Sequence, residues 1–185
     1  MNIDYKIATK AIANRLKKII NKIISPNQIG FIKGRYIGEN IRLIQEVIEH
    51  LNNTNKPGLL IFVDFEKAFD SVDHAFIIKS LKHFNFGNDL ISWVKLFYTG
   101  IKGVIINNGH LSESFSIERG VRQGCPLSSF LFLICIEILS NFIAKCPEIT
   151  GLNIKIIPLN KLYLQMMQHS SMTETKHLLI NLYQH

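Results

Sequence analysis

The sequence lacks the features that would mark a disulfide-rich, zinc-binding or membrane-spanning protein. Its three cysteines, Cys125, Cys135 and Cys146, form no CxxC pair, and their odd number argues against a disulfide framework or a zinc site. The longest apolar run, Phe130 to Ile136, is far shorter than the roughly 20 residues that cross a bilayer. The first residues do not have the layout of a signal peptide. We therefore expect an intracellular protein, nuclear or cytoplasmic rather than secreted.

The bulk composition fits one domain or a fragment of one. The chain has 185 residues, of which 47% are hydrophobic, and this is enough for a single core but too little for a large multi-domain enzyme. The formal net charge is +7, with basic residues spread along the chain. Such a charge suits a polyanionic partner, although solvated lysines alone would give the same balance.

Apolar periodicity predicts five helices. They are expected from about Ala8 to Ile23, Ile41 to Leu51, Asp73 to Phe84, Asn88 to Tyr98 and Pro126 to Ala144. The dipeptide Asn108-Gly109 predicts a hairpin between two short apolar segments, Gly103 to Ile106 and Phe115 to Ile117, although the interval is longer than a minimal hairpin needs. Mixed helices and strands without strict alternation indicate an α+β fold.

A first candidate site follows the apolar run Leu59 to Val63. This run predicts a strand buried on both faces that ends in Asp64. A carboxylate fixed at the end of a strand can bind a divalent cation, and two cations about 4 Å apart can stabilise both oxygens of a phosphoryl transfer. A solvated carboxylate that only caps the strand is the other interpretation.

A second candidate site is the glycine-containing segment Gly120 to Ser129, which leads into an apolar helix. Glycines permit close backbone approach, and the amides at a helix N-terminus favour an anionic or polar ligand. Arg122 and Gln123 are then candidates for contact with a phosphate or a base edge. A plain glycine turn with a helix cap explains the segment equally well.

Together the two segments resemble motifs A and B of the reverse transcriptases of LINE-type (non-LTR) retrotransposons. Motif A corresponds to FVDFEKAFDSVDH and motif B to GVRQGCPLSSFLFLICIEIL. QIGFIKGR, Gln28 to Arg35, resembles the finger segment of that family, and MNIDYKIATKAIANRL resembles the stretch before it. The likeness runs from about Asn2 to Lys155 in family order.

The resemblance implies an α+β right-hand polymerase core with fingers and palm. Residues 1–58 would be a partial, helical fingers region and residues 59–158 the palm with motifs A and B. The more N-terminal finger strand, any endonuclease domain and the thumb are expected to be missing. The implied activity is RNA-directed DNA synthesis with an RNA template, a DNA primer, dNTPs and a two-Mg²⁺ site.

The resemblance also implies roles for individual residues. Asp64 would be the catalytic metal ligand of motif A, Val63 would belong to the metal site with it, and Val63 and Phe65 would border the incoming triphosphate. Phe69 would pack against the deoxyribose and exclude a ribose 2′-OH. Gln123 and Gly124 would lie near the nascent base pair, next to Arg122. The candidate phosphate contacts of the fingers are Lys6, Arg15, Lys33 and Arg35, and each of them is also explained as a solvated charge.

The chain departs from the family pattern in two places. Ser129 stands where family members carry proline, a change that a helix start tolerates. More seriously, no Asp occurs after Asp89, so the second metal-ligand motif, Tyr/Phe-Ala-Asp-Asp, is missing. Asp64 alone cannot hold two mutually repelling cations. We therefore predict that this copy lacks polymerase activity.

The genetic code suggests how the motif was lost. Read from the third base of each codon, Met166-Met167 must encode Asp, Met167-Gln168 must encode Ala, and Gln165-Met166 encodes Asp or Asn. The same frame permits Phe and Ala just before them. We predict a frameshift between about Lys155 and Leu162, which makes residues 159–185 an out-of-frame tail. A divergent palm strand that is still in frame is the alternative.

Three other function classes remain open from the sequence. The chain could be a non-catalytic relic that still binds nucleic acid through its basic fingers. It could fail to fold stably, because a palm sheet short of two strands exposes an apolar edge. It could also be a different two-metal phosphotransferase, since only the family likeness specifies a polymerase.

Overall fold

The computed structural model describes residues 2–55, 57–58 and 60–149, and the backbone alone of residues 152–154 and 157–159. Their helices are α1 (Ile3–Ile23), α2 (Gly38–Thr54), α3 (Ala68–Ser71), α4 (His74–His83), α5 (Asn88–Tyr98) and α6 (Ser128–Lys145). Their strands are β1 (Lys102–Gly103), β2 (Ile106–Asn107), β3 (His110–Leu111), β4 (Phe115–Ser116), β5 (Leu152–Ile154) and β6 (Ile157–Leu159). This mixture of helices and small antiparallel ladders is compatible with the predicted α+β class.

The chain divides into two compact units. Unit 1 comprises Met1–Ile24 and Glu66–Ile138, and unit 2 comprises Ser25–Phe65 and Leu139–His185. In unit 1, helices α1, α4, α5 and α6 each bury an apolar face, and α4 contacts α5. In unit 2, Leu43, Val47 and Leu51 of α2 form a small core against which Leu60 packs.

The five predicted helices are confirmed, most of them within two or three residues of the predicted ends. In α1 the buried face contains Thr9, Ala13, Leu16 and Ile20, while Ile19 is 40% exposed. Thr9 can be fully buried because its hydroxyl donates to the Tyr5 carbonyl at 2.8 Å, one turn earlier.

The predicted hairpin at Asn108-Gly109 is also confirmed. Both residues have positive φ, 49° and 81°, as a two-residue turn of type I′ requires. This turn joins β2 to β3, and β1 pairs with β4 farther from the turn. Between the two ladders the Ile105 amide donates to the Ser112 hydroxyl at 2.9 Å. The long interval therefore consists of two consecutive ladders around a minimal turn.

Helix α6 is the most apolar element of the described chain. Its first half is buried in a continuous run from Leu131 to Cys135. Among the described residues it is the one helix long and apolar enough to cross a membrane, judged by length and composition alone. The core helix of a soluble protein meets the same criterion.

The predicted strand from Leu59 to Val63 is wrong where the structure describes it. Leu60 makes a single β-bridge and the following residues have no regular structure; Leu59 lies outside the described residues. Ile61, Phe62 and Val63 are 58%, 50% and 54% exposed. A strand buried on both faces needs neighbouring strands and covering elements, and the described parts of the chain supply no strand ladder for this run.

Strands β5 and β6 form an antiparallel pair in which Leu152 is opposite Leu159. Apart from the backbone of Leu159, the predicted out-of-frame tail, residues 159–185, lies outside the described residues.

Candidate functional site

The second half of the motif A segment forms a sharp turn into a short helix. Lys67 adopts a left-handed conformation, with φ 49° and ψ 45°, just before α3. The amides of Asp70 and Ser71 then donate to the Lys67 carbonyl at 2.8 and 3.0 Å. This turn directs Phe69 onto α6, where its ring centroid lies 4.9 Å from that of the buried Phe132.

Main-chain hydrogen bonds join this segment to the motif B segment within unit 1. The Val121 amide donates to the Phe69 carbonyl at 2.7 Å, and the Gly120 amide donates to the Val72 carbonyl at 2.8 Å. Asp73 and Arg119 continue the contact as an antiparallel bridge. We call this set of contacts the A–B clasp. Two stretches that are far apart along the chain are therefore in direct contact.

Gly120 makes the A–B clasp sterically possible. Its φ is +90°, and a Cβ atom at this position would lie 3.0 Å from the Asp70 carbonyl oxygen and 3.1 Å from the Asp70 Cα. Both atoms belong to the backbone and cannot move aside, so only glycine fits without strain. The Gly120 carbonyl accepts a hydrogen bond from His74 Nε2 at 2.9 Å, which places the imidazole proton on that nitrogen.

The residues predicted to contact the nucleotide form the turn after the clasp. The Arg122 carbonyl accepts from the Ser128 hydroxyl at 2.6 Å and from the Cys125 amide at 3.2 Å. Gly124 has a φ of +73°. Gln123 and Gly124 are exposed at the tip, and Gln123 Nε2 lies 3.5 Å from Asp70 Oδ1, the long limit of a hydrogen bond.

The Arg122 side chain lies on an aromatic ring for which the sequence predicted no role. Its guanidinium carbon is 4.5 Å from the centroid of the Tyr5 ring in α1, within cation–π range. The Cys125 thiol donates to the Tyr5 hydroxyl at 3.7 Å. Burial, followed by this hydrogen bond, raises the pKa of Tyr5 above its ordinary value. The phenol is therefore neutral at physiological pH.

A second tyrosine supports the same turn from α5. Tyr98 is 6% exposed and its ring packs against that of His74, with centroids 4.9 Å apart. Burial raises the pKa of Tyr98 to about 12, partly opposed by the nearby Ser128 hydroxyl. His74 and Tyr98 therefore belong to the site as structural supports. His74 lies within the family-like motif, whereas no pattern in the sequence marked Tyr98.

The predicted metal residues have a different environment. Asp64 and Val63 are exposed and Phe65 is half-buried, all in chain without regular structure that belongs to unit 2. Within the described residues, no group of three or more His, Cys, Asp or Glu side chains could hold a metal ion. This donor set does not fit a two-metal site. The predicted closeness of Asp64 to the Gln123-Gly124 turn stays a prediction.

The predicted phosphate contacts of the fingers are mostly solvent-facing. Lys6 and Arg15 are exposed in α1, and Lys33 is exposed in the loop before α2. Arg35 is half-buried, and its Nη1 donates to the carbonyls of Ser25, at 2.6 Å, and Gln28. Arg35 thus fastens the loop in which it lies. Contact of the four residues with phosphate stays a prediction.

Both segments of the A–B clasp lie within the part of the chain that matches a family of RNA-dependent DNA polymerases. Residues 1–164 match the family described as reverse transcriptase (RNA-dependent DNA polymerase), and the chain belongs to this family.

The curated relatives are proteins of non-LTR retrotransposons, which confirms the predicted subgroup. The chain is 36% identical over 155 residues to the transposon TX1 uncharacterized 149 kDa protein of Xenopus laevis, a match that covers 84% of this chain and 12% of that protein. It is 31% identical over 126 residues to the Pol polyprotein of the retrotransposable element R2DM of Drosophila melanogaster, covering 68% of this chain and 12% of that protein. A similar protein of element R2 from Nasonia vitripennis is 28% identical over 145 residues, covering 77% of this chain and 13% of its own length.

Proposed function

We propose that the chain is the fingers and palm portion of a non-LTR retrotransposon reverse transcriptase, and that this copy binds nucleic acid without polymerising DNA. Residues 1–58 correspond to the fingers and residues 59–158 to the palm. The parent domain would extend a DNA primer on an RNA template inside the cell. The observation that supports this most directly is the A–B clasp, since it unites Phe69 with the Val121-to-Gly124 segment in one rigid element.

The clasp supports a role in recognising the sugar of a dNTP. The Phe69 carbonyl is held by Val121, and the Phe69 ring is held by the buried Phe132. Because both its backbone and its ring are held, Phe69 cannot move aside to make room for a bulkier sugar. At the position that the family resemblance assigns to the deoxyribose, it would exclude a ribose 2′-OH. This is consistent with selection of dNTPs over NTPs.

The proposed inactivity is based on the carboxylates. Asp64 is exposed, the described residues contain no group of three or more His, Cys, Asp or Glu side chains that could hold a metal ion, and the sequence has no later Asp-Asp pair. The family match ends at residue 164, a short way beyond the predicted start of the tail. A frameshift near Lys155 to Leu162 accounts for both the missing pair and the end of the match.

Primer extension on the full chain tests the proposal. We expect an oligo(dT) primer on poly(rA) to bind, with no incorporation of dTTP in the presence of Mg²⁺. Incorporation that disappears in Asp64→Ala and persists in the control Asp89→Ala, another exposed aspartate, would show an active polymerase and contradict the proposed inactivity. Absence of binding would contradict the function as a whole.

The nucleotide sequence across codons 152–171 tests the frameshift separately. We expect the alternative frame to encode Phe-Ala-Asp-Asp-Ala. Codons that encode no Asp pair in any frame would favour a divergent strand instead.

A further inference from the structure

We infer that Tyr5 is a positioning residue that holds the Arg122 guanidinium over its ring beside the nucleotide turn, so that its N–H groups are presented to a phosphate oxyanion. This inference rests on the proposed function, because it deepens the role of the motif B turn. The phosphate could belong to the triphosphate of a dNTP or to a strand of the primer–template duplex.

Arg122 is fixed at both ends. Its carbonyl accepts from Ser128 and Cys125, and its guanidinium lies over the Tyr5 ring. A guanidinium that stacks through its face keeps its five N–H donors free around the edge, in the plane that suits bidentate phosphate binding. In the described part of the chain the one salt bridge is Arg42 to Glu46. No described carboxylate therefore lies within salt-bridge distance of Arg122.

Tyr5 is itself held rigidly, as a positioning residue must be. Its ring meets the buried Phe97 edge-on, with centroids 5.1 Å apart and planes at 66°. Its hydroxyl accepts from the Cys125 thiol, and its carbonyl accepts from Thr9. Tyr5 therefore links the start of α1, the end of α5 and the motif B turn within unit 1.

The charge state of the Tyr5 phenol affects how well Arg122 can bind a phosphate. A phenolate would form an ion pair with Arg122 and compete with phosphate for its positive charge. The neutral ring attracts the cation through its face while leaving the full charge for an external anion.

Variants of Tyr5 and Arg122 distinguish a positioning role of Tyr5 from a general effect on folding. We expect Arg122→Gln to weaken binding of phosphate ligands about tenfold, the loss typical of a charge-assisted hydrogen bond. Tyr5→Leu should weaken it about threefold, as the loss of a cation–π contact does. Tyr5→Phe, which keeps the ring, should bind like the parent chain. Phe142→Leu, a change at an exposed aromatic of α6, serves as the matched control.

The decisive measurement is a double-mutant cycle with two probes, dTTP with Mg²⁺ and the oligo(dT)–poly(rA) duplex. If Tyr5 acts through Arg122, Tyr5→Leu should have no further effect in the Arg122→Gln background. If the variants weaken binding of dTTP alone, Arg122 contacts the triphosphate. If they weaken binding of the duplex alone, Arg122 contacts a phosphate of a strand. Equal losses of binding from Tyr5→Leu in both backgrounds, or none in either, would overturn the inference.

Unfolding gives a test that does not depend on binding. In urea titrations of the same four proteins, the midpoint loss of the double variant should be smaller than the two single losses combined. Strictly additive losses would rule out the Tyr5–Arg122 contact even if neither probe bound. Failure of the parent chain to bind either probe would instead contradict the proposed function. The Tyr5–Arg122 contact would then be tested by the unfolding cycle alone.

Discussion

The two halves of motif A differ in how the protein holds them. From Ile61 to Phe65 the chain has no regular structure, and three consecutive apolar side chains are at least half exposed. From Ala68 to His74 the chain forms a helical turn, donates and accepts main-chain hydrogen bonds, and packs an aromatic ring on α6. Both halves resemble motif A of the family equally well. The difference in their structure therefore comes from the residues with which each half can pair.

The second half has its partner in the described chain and the first half does not. Gly120 and Val121 supply the amides that satisfy the Val72 and Phe69 carbonyls. For the first half, the family resemblance implies a strand pair carrying two aspartates, and the sequence has no Asp after Asp89. A run of β-branched and aromatic residues becomes a strand only when another strand satisfies its backbone.

The largest expected effect of a substitution in this comparison is at Gly120. Gly120→Ala combines a positive φ with a Cβ at 3.0 Å from the Asp70 carbonyl oxygen, and it should cost about 3 kcal/mol of unfolding free energy. Gly124→Ala is the control, because φ is also positive but nothing lies within 4 Å; it should cost only about 1 kcal/mol. Urea denaturation followed by circular dichroism measures both, and equal losses would contradict the tight approach in the clasp.

Truncation of one phenylalanine in each half tests the comparison directly. Phe69→Ala removes a half-buried ring that packs on Phe132 and should cost about 2 kcal/mol, less than a fully buried ring. Phe62→Ala removes a ring that is 50% exposed and should change stability by no more than about 0.5 kcal/mol. A larger loss for Phe62 than for Phe69 in the same denaturation assay would show that the first half is the better packed.

A smaller effect is expected at Asp73, near the end of the second half. Asp73 caps α4, where its carboxylate accepts from the Phe76 amide at 2.8 Å. Asp73→Ala should therefore lower the free energy of unfolding by about 1 kcal/mol. The exposed Asp64→Ala serves as the control and should leave the melt within about 0.5 kcal/mol of the parent. A thermal melt in which both variants match the parent would show that the cap contributes nothing.

The smallest expected effect is a dependence of stability on alkaline pH. Burial raises the pKa of Tyr98 from 10.0 to about 12, so the unfolded chain loses this proton first. The contribution of Tyr98 is then fully present well below pH 10 and is lost as the pH rises towards about 12. At pH 10 the loss is about 0.4 kcal/mol. Tyr98→Phe should flatten the decline of the urea midpoint between pH 9 and pH 10, and an unchanged decline would contradict burial of the phenol.

Local signals were sufficient to predict most of the fold. The helices follow from apolar spacing and the hairpin from Asn108-Gly109, because each depends on residues close together in the chain. The strand before Asp64 could not be predicted correctly, because its stability depends on partners elsewhere. The same few residues before Asp64 therefore gave a correct family assignment and an incorrect prediction of local structure.

The candidate site was predictable in part. Arg122, Gln123 and Phe69 were found by their resemblance to known motifs, and the structure brings the segments that contain them together. Tyr5 was missed because it lies 120 residues from Cys125 along the chain, and a tyrosine near the start of an amphipathic helix carries no periodic or motif signal of its own. The same holds for Tyr98, which no motif marks and which is simply the last residue of the predicted helix Asn88 to Tyr98.

The A–B clasp is made of peptide groups, with one glycine as its only strict requirement. Most point mutations change side chains and leave peptide amides and carbonyls intact, whereas a metal centre is abolished by the loss of a single carboxylate. In a gene copy released from selection, catalysis should therefore disappear long before the scaffold around it. Degenerate copies of such elements are then expected to persist as folded proteins with a shaped but unreactive surface.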